Sequence, residues 1–262
     1  MQTPRRLAAR LLFWMGRAAD RTAKATHYLA SGTLRLRDLQ DGMRDAWQDH
    51  YRGGAEHTSG LMPWEQDLVD RYVTTDADVL VIGCGSGRDL LALAERGCRV
   101  TGVEPSALAL GTARRVMLER QLPATFIEGF FEDAPVPGSY DAIIFSYHCY
   151  CFMPGSARRI AALRKAKAAL KPGGHILVSY IHWTRPRAVF VTLARAMGAL
   201  FRSDWRAEPG DMLWDNRAAR PSYAYSHAFE PGDVEREAAA AGLRPVFSRE
   251  TGDGRAIVLA SA

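Results

Sequence analysis

Three glycines at alternate positions, Gly83-x-Gly85-x-Gly87, directly follow the apolar run Val79-Leu80-Val81-Ile82 and precede a helical pattern at Leu90, Leu91, Leu93 and Ala94. The apolar run reads as a buried parallel strand, and the glycines read as a tight turn into a helix. Glycine in that turn permits positive φ and lets a ligand approach where a Cβ would collide. The turn falls at the carboxyl end of a strand, where open α/β sheets bind their ligands. The dinucleotide fingerprint is not met, because Arg88 stands where its third glycine belongs, and no Gly-Lys-Ser/Thr of a phosphate loop follows. Val100-Thr101-Gly102-Val103 reads as the next strand and runs into Glu104-Pro105-Ser106. A carboxylate at that tip can accept hydrogen bonds from both hydroxyls of a ribose. Its other role would be to cap the following helix. The pattern predicts a nucleotide-type cofactor.

With those two motifs the chain resembles the class I S-adenosylmethionine-dependent methyltransferases. The likeness continues through Tyr140-Asp141-Ala142-Ile143-Ile144-Phe145 and through Leu170-Lys171-Pro172-Gly173-Gly174 with the strand after it, covering about residues 61 to 262. It implies S-adenosylmethionine as cofactor, with Gly83, Cys84, Gly85 and Gly87 around the methionine moiety. Glu104 and Pro105 would then meet the ribose, and Phe131, Glu132 and Ser146 would lie near the adenine and the strand-four tip. One departure stands out: where many relatives carry an Asp after strand three, this chain reads Glu128-Gly129-Phe130-Phe131.

Methyl transfer from a sulfonium is an in-line displacement, so alignment and exclusion of water do most of the work. A hydroxyl acceptor gains from a base, typically histidine. His148, just past strand four, and His227, at the end of the segment before the last helix, are the catalytic candidates. Tyr51, Trp64, Tyr147, Tyr150, Trp183 and Tyr225 are candidates for holding substrate, with packing in a core as the alternative role of each ring. No metal site is expected, since the four cysteines (Cys84, Cys98, Cys149 and Cys151) have no zinc spacing.

These residues require a doubly wound α/β fold. The pattern predicts strands near 78–82, 99–103, 124–127, 140–145 and 174–180, with helices near 64–73, 88–96, 106–120 and 155–169. Leu243–Glu250 and Arg255–Ala260 read as a closing hairpin. The sum is a mostly parallel seven-stranded sheet with an antiparallel last strand and helices on both faces. A helical extension occupies residues 1–60, and a substrate cap fills about 181–242, where a plain crossover would need far fewer residues. Val189–Phe201 reads as a helix of the cap, and Glu208–Asp211, Asn216–Pro221 and Glu230–Gly232 read as turns.

The net charge of +5 is unevenly spread: residues 1–37 carry eight Lys or Arg against Asp20 alone, a net of +7, which leaves −2 for the rest. A near-neutral catalytic domain argues against a broad nucleic-acid surface, and no Asn/Asp-Pro-Pro-Tyr/Phe tetrad follows strand four. The leading expectation is a cytoplasmic methyltransferase acting on an oxygen or nitrogen of a small molecule. A lipid-linked or RNA acceptor, or a non-catalytic scaffold, are the alternatives. Residues 5–30 alternate apolar and basic positions at helical spacing. They would pack on the domain, on a second copy in a homodimer, or peripherally on an anionic membrane.

Overall fold

The computed structural model describes residues 4–52, 60–182, 188–215, 223–252 and 254–262. Five parallel strands, β1 (Asp78–Ile82), β2 (Arg99–Glu104), β3 (Ala124–Glu128), β4 (Tyr140–Phe145) and β5 (Leu170–Tyr180), form most of the sheet. The hairpin β8 (Leu243–Glu250) and β9 (Arg255–Ser261) completes it, with β9 antiparallel to β5. The spatial order is β3-β2-β1-β4-β5-β9-β8. Strand alternation sends Val79 and Val81 to one face and Leu80 and Ile82 to the other. Both faces are covered, which is why β1 is apolar without interruption. On the Val79 face pack α4 (Arg88–Glu95) and α5 (Ala107–Glu119), joined by Val69 of α3 (Pro63–Tyr72). On the Leu80 face pack α6 (Ser156–Ala168) and α8 (Asp233–Ala240) through Leu163, Ala166, Val234 and Ala238. Strand order switches at β1, with β2 and β3 laid down on one side and β4 and β5 on the other, so the crevice at the carboxyl ends of β1 and β4 is the natural ligand site.

The remaining elements stand above that crevice. They are α1 (Pro4–Thr33), α2 (Leu36–Arg52), α7 (Ala188–Phe201) and a two-stranded sheet of β6 (Asp211–Asp215) and β7 (Tyr223–His227). Helix α2 lays Leu39, Met43 and Ala46 on Leu213, Ala224 and Tyr225 of the small sheet. The base of α1 rests on α7, where Tyr28 stacks on Phe190 with centroids 5.1 Å apart. The sequence reading gave this segment a helix and turns. The helix and the Glu208–Asp211 turn are present, but the β6–β7 pair was not foreseen. The turn expected at Asn216–Pro221 lies outside the described residues.

A buried guanidinium ties this cap to the sheet. Arg159, at the start of α6, donates from Nε and Nη2 to Glu237 of α8 at 2.7–3.1 Å and from Nη2 to Glu208 at 3.0 Å. Its Nη1 donates to the Met153 carbonyl, and the group lies 5.1 Å from the Phe229 ring centroid. One cation thereby compensates a carboxylate of α8 and one of the loop before β6.

Candidate active site

The floor is the turn between β1 and α4. Gly83 and Gly85 hold φ of +71° and +54°, so the chain doubles back and both Gly83 N and Cys84 N donate to Val103 O. Gly85 N then donates to Glu104 Oε2 at 3.1 Å, while Ser106 N donates to Oε1 at 3.0 Å. Glu104 is buried with no cation beside it in this set of bonds. Burial pushes its carboxyl up to about 7, against the pull of those two backbone donors. Opposite it, Ser146 at the β4 tip donates to Asp89 Oδ2 at 2.6 Å. Arg88 bridges Asp89 Oδ1 and Glu65 Oε1, each at 2.6 Å, and Glu65 Oε2 accepts from Met62 N. Burial would lower the Arg88 pKa, but its two carboxylate partners raise it, so the guanidinium stays charged.

The roof is α2. Met43, Trp47, His50 and Tyr51 recur at helical spacing and line a cavity of about 410 Å³ with the floor residues. That volume lies in the range of small-molecule sites, roughly 300–1,000 Å³. The Tyr51 hydroxyl stands directly over the turn: a Cβ on Gly85 would come within 2.3 Å of it. Burial, with Glu104 nearby, raises its pKa, so it remains a phenol. Ring centroids of Trp47 and His50 are 5.6 Å apart, and those of His50 and Tyr51 are 5.2 Å apart. Phe130, Phe131 and Glu132 close the side beyond Glu104, with the Arg44 guanidinium 5.3 Å from the Phe130 centroid. Cys149 also faces the cavity and donates to Ile82 O; burial pushes its thiol well up, which keeps it protonated.

Of the residues singled out from the sequence, Gly83, Cys84, Gly85, Glu104, Pro105, Phe131, Glu132, Ser146, Tyr51 and Tyr147 line this cavity. The others stand elsewhere. Gly87 is the left-handed N-cap of α4, and a Cβ there would press on Ala113 of α5 at 3.1 Å, so its role is helix packing. Trp64 packs with Leu68, Leu177 and Val258 on the sheet. Tyr150 is buried on the Leu80 face and donates to Glu237 at 2.6 Å. Tyr225 lies beneath α2, donating to Asp211 at 2.5 Å. Trp183 lies outside the described residues.

Both histidines expected to be catalytic lie outside the lining of this cavity. His148 holds φ +61°, its N–H donates to Ser179 Oγ, and its ring lies against Gly254 between β5 and β9. The left-handed turn that leaves Tyr147 on the cavity swings the next side chain behind it. His227 is buried in the small sheet, with Nδ1 2.7 Å from Asp211 Oδ1 and its ring against Phe229. Glu208, Asp211 and His227 lie within 4.8 Å of one another, yet Ser156, Arg159 and Tyr225 already engage the carboxylates. His50, one turn from Trp47 and beside Tyr51, was not among the catalytic candidates expected from the sequence. Its signal was the stripe Met43, Trp47, His50/Tyr51 at spacings of four and three or four.

The fold has counterparts among known proteins. Residues 79–174 match the family described as Methyltransferase domain. The chain is 35% identical over 117 residues to the cypemycin N-terminal methyltransferase of a Streptomyces species, a match covering 44% of this chain and 45% of that protein. It is 26% identical over 186 residues to the ubiquinone biosynthesis O-methyltransferase of Chromobacterium violaceum, covering 70% and 72%. Among solved structures, an S-adenosylmethionine-dependent methyltransferase from Methanosarcina mazei superposes with a TM-score of 0.59 at 18% identity, over 77% of this chain and 98% of that one. The family match runs from the first strand into the fifth and so falls on the elements that build the cavity floor; residues 79–174 are similar to the Methyltransferase domain family, and the fold is the Rossmann-like one of S-adenosylmethionine-dependent methyltransferase structures.

Proposed function

We propose that this protein methylates an oxygen or nitrogen atom of a small molecule, with His50 as the proton acceptor when the nucleophile is a hydroxyl. The observation that carries the reading is that one cavity joins Glu104 and the glycine turn to a roof made of Trp47, His50 and Tyr51. Bound S-adenosylmethionine supplies an activated methyl group on a positively charged sulfur. Glu104 presents a carboxylate for the ribose hydroxyls, and the cavity beside the glycine turn takes the amino-acid end. The aromatic roof and Tyr147 suit a cation beside their faces. The same surfaces exclude water and hold an acceptor in line. His50 lies in that roof, within reach of what the cavity holds, whereas His148 and His227 are behind its walls. Relatives named for N-terminal and for O-methylation support nitrogen and oxygen alike as acceptor atoms.

Calorimetry with S-adenosylhomocysteine, followed by labelled methyl transfer to a panel of phenols and amines, tests the proposal. A positioned base contributes about 10²–10⁴ in rate. His50→Gln is therefore expected to lower turnover of a phenol at least a hundredfold while S-adenosylhomocysteine still binds. Unchanged phenol turnover in that variant would remove His50 from the mechanism. Absence of S-adenosylhomocysteine binding by the wild type would remove the whole reading.

A further inference from the structure

The outer part of α1 buries none of its apolar side chains. Residues 6–23 are exposed throughout, an arm of about 27 Å at 1.5 Å per residue. Leu7, Leu11, Leu12, Phe13, Trp14 and Met15 are each between 58% and 77% exposed. Single exposed apolar residues are ordinary, but four of these six, Leu7, Leu11, Trp14 and Met15, share an arc of about 100° on one helix and form a surface that calls for a partner. An isolated helix of this length is marginal in water without tertiary packing. Its base is held, because Tyr28 stacks on Phe190 and Gly32 fits against Ala194 of α7. Helix α7 itself ends in exposed Leu200 and Phe201.

The charges identify the partner. At 100° per residue, Leu7, Leu11, Trp14, Met15 and Ala18 share one stripe, while Arg6, Arg10, Arg17 and Arg21 fall in an arc of about 60° beside it. The two stripes touch where the Arg17 guanidinium lies 5.7 Å from the Trp14 ring centroid. Long cationic side chains flanking an apolar stripe can keep their heads at a charged interface while their stems lie on apolar material. A second copy of the arm would bring an identical cationic stripe and so repel. An anionic bilayer brings the opposite charge together with an apolar interior at the depth of one helix face. No helix among the described residues is long and apolar enough to cross a membrane, so the arm would lie on the surface.

We propose that the outer half of α1 is an interfacial anchor that docks the protein on an anionic lipid bilayer, with the Leu7–Ala18 stripe in the acyl boundary and the arginine stripe among the headgroups. Only Leu34 and Arg35 separate α1 from α2, so anchoring holds the roof of the cavity close to the membrane plane. Each basic residue near an anionic surface strengthens binding by about fivefold, and salt screens that contribution.

The test is co-sedimentation of the full chain with vesicles of phosphatidylglycerol and phosphatidylcholine, and with phosphatidylcholine alone. The wild type is compared with Leu11→Glu/Trp14→Glu and with Arg10→Glu/Arg17→Glu. Binding of S-adenosylhomocysteine reports in each case that the fold is intact, since none of these residues lines the cavity. The expected result is binding to the anionic vesicles that falls at least tenfold without phosphatidylglycerol, at high salt, and in either variant. No sedimentation of the wild type with anionic vesicles would overturn the proposal, as would undiminished binding by both variants. A lipid-free dimer that Leu11→Glu/Trp14→Glu dissociates, without vesicle binding by the wild type, would assign the surface to a second copy instead.

Discussion

Glu104 is held as a buried acid that accepts, among the described residues, from two backbone amides. Its carboxyl is pushed up to about 7 from an ordinary 4.5, so the folded protein holds this proton more tightly than the unfolded chain does. The stability it contributes is fully present below pH 4.5 and is lost as pH rises through 7, on the order of 3 kcal/mol. The ligand-free protein is therefore expected to melt at falling temperature between pH 5 and pH 8, and Glu104→Gln to flatten that slope. Ribose hydroxyls donate best to the ionised form, so affinity for S-adenosylhomocysteine should weaken by up to about tenfold per pH unit below 7. Calorimetry across pH 6 to 8 checks the second expectation, and an affinity independent of pH would contradict it. Position along the chain suffices to place Glu104 and Ser146 at strand tips, because each directly follows a stretch that reads as a strand, Val100–Val103 and Tyr140–Phe145. Position alone does not reveal that His148 takes a left-handed φ and stays out of the cavity lining, its ring packed 4.6 Å from that of Tyr147. That outcome depends on Ser179, thirty-one residues distant, accepting the His148 N–H.

At the scale of elements, the legible parts are those whose own pattern demands burial. β1, β2, β4 and β5 with their helices emerge where expected since each carries its apolar face in its own residues. β6 and β7 do not, because five-residue strands such as Asp211–Asp215 become apolar on one side only once α2 covers them. The roof was hidden for the same reason: Met43, Trp47 and His50 share a stripe, but nothing local says which surface it faces. The Arg159 cluster is likewise invisible in sequence, since Arg159, Glu208 and Glu237 come from three separate segments. Arg159→Met would leave the carboxylates of Glu208 and Glu237 without their cation. Breaking such a buried pair costs about 3–5 kcal/mol, and urea denaturation should show a loss of that size. A loss below about 1 kcal/mol would mean that water reaches Glu208 and Glu237.

For the whole molecule, the uneven charge has a mechanical counterpart. The neutral body holds the sheet, the cavity and the cap, and the cationic surplus sits on an arm outside it. Limited digestion with trypsin is expected to cut first at Arg10, Arg17 and Arg21, which are exposed on a helix segment with no tertiary packing. The body that remains, including α2, should still bind S-adenosylhomocysteine. First cuts within α4 or α5 instead would show that the arm is protected and packed.

Helix α2 has one more consequence, for the order in which the protein comes into being. Leu39, Met43 and Ala46 leave the ribosome early, but Leu213, Ala224 and Tyr225, which cover them, follow about 170 to 185 residues later. At about 5–20 residues per second, those side chains wait roughly ten to forty seconds for their partners, while the sheet strands from β1 to β5 emerge and pair. The glycine turn and Glu104 can thus be in place well before anything stands above them. The half of the site that holds an acceptor closes only when synthesis is nearly finished, so a nascent chain can acquire its cofactor floor before it has a chamber in which to use it.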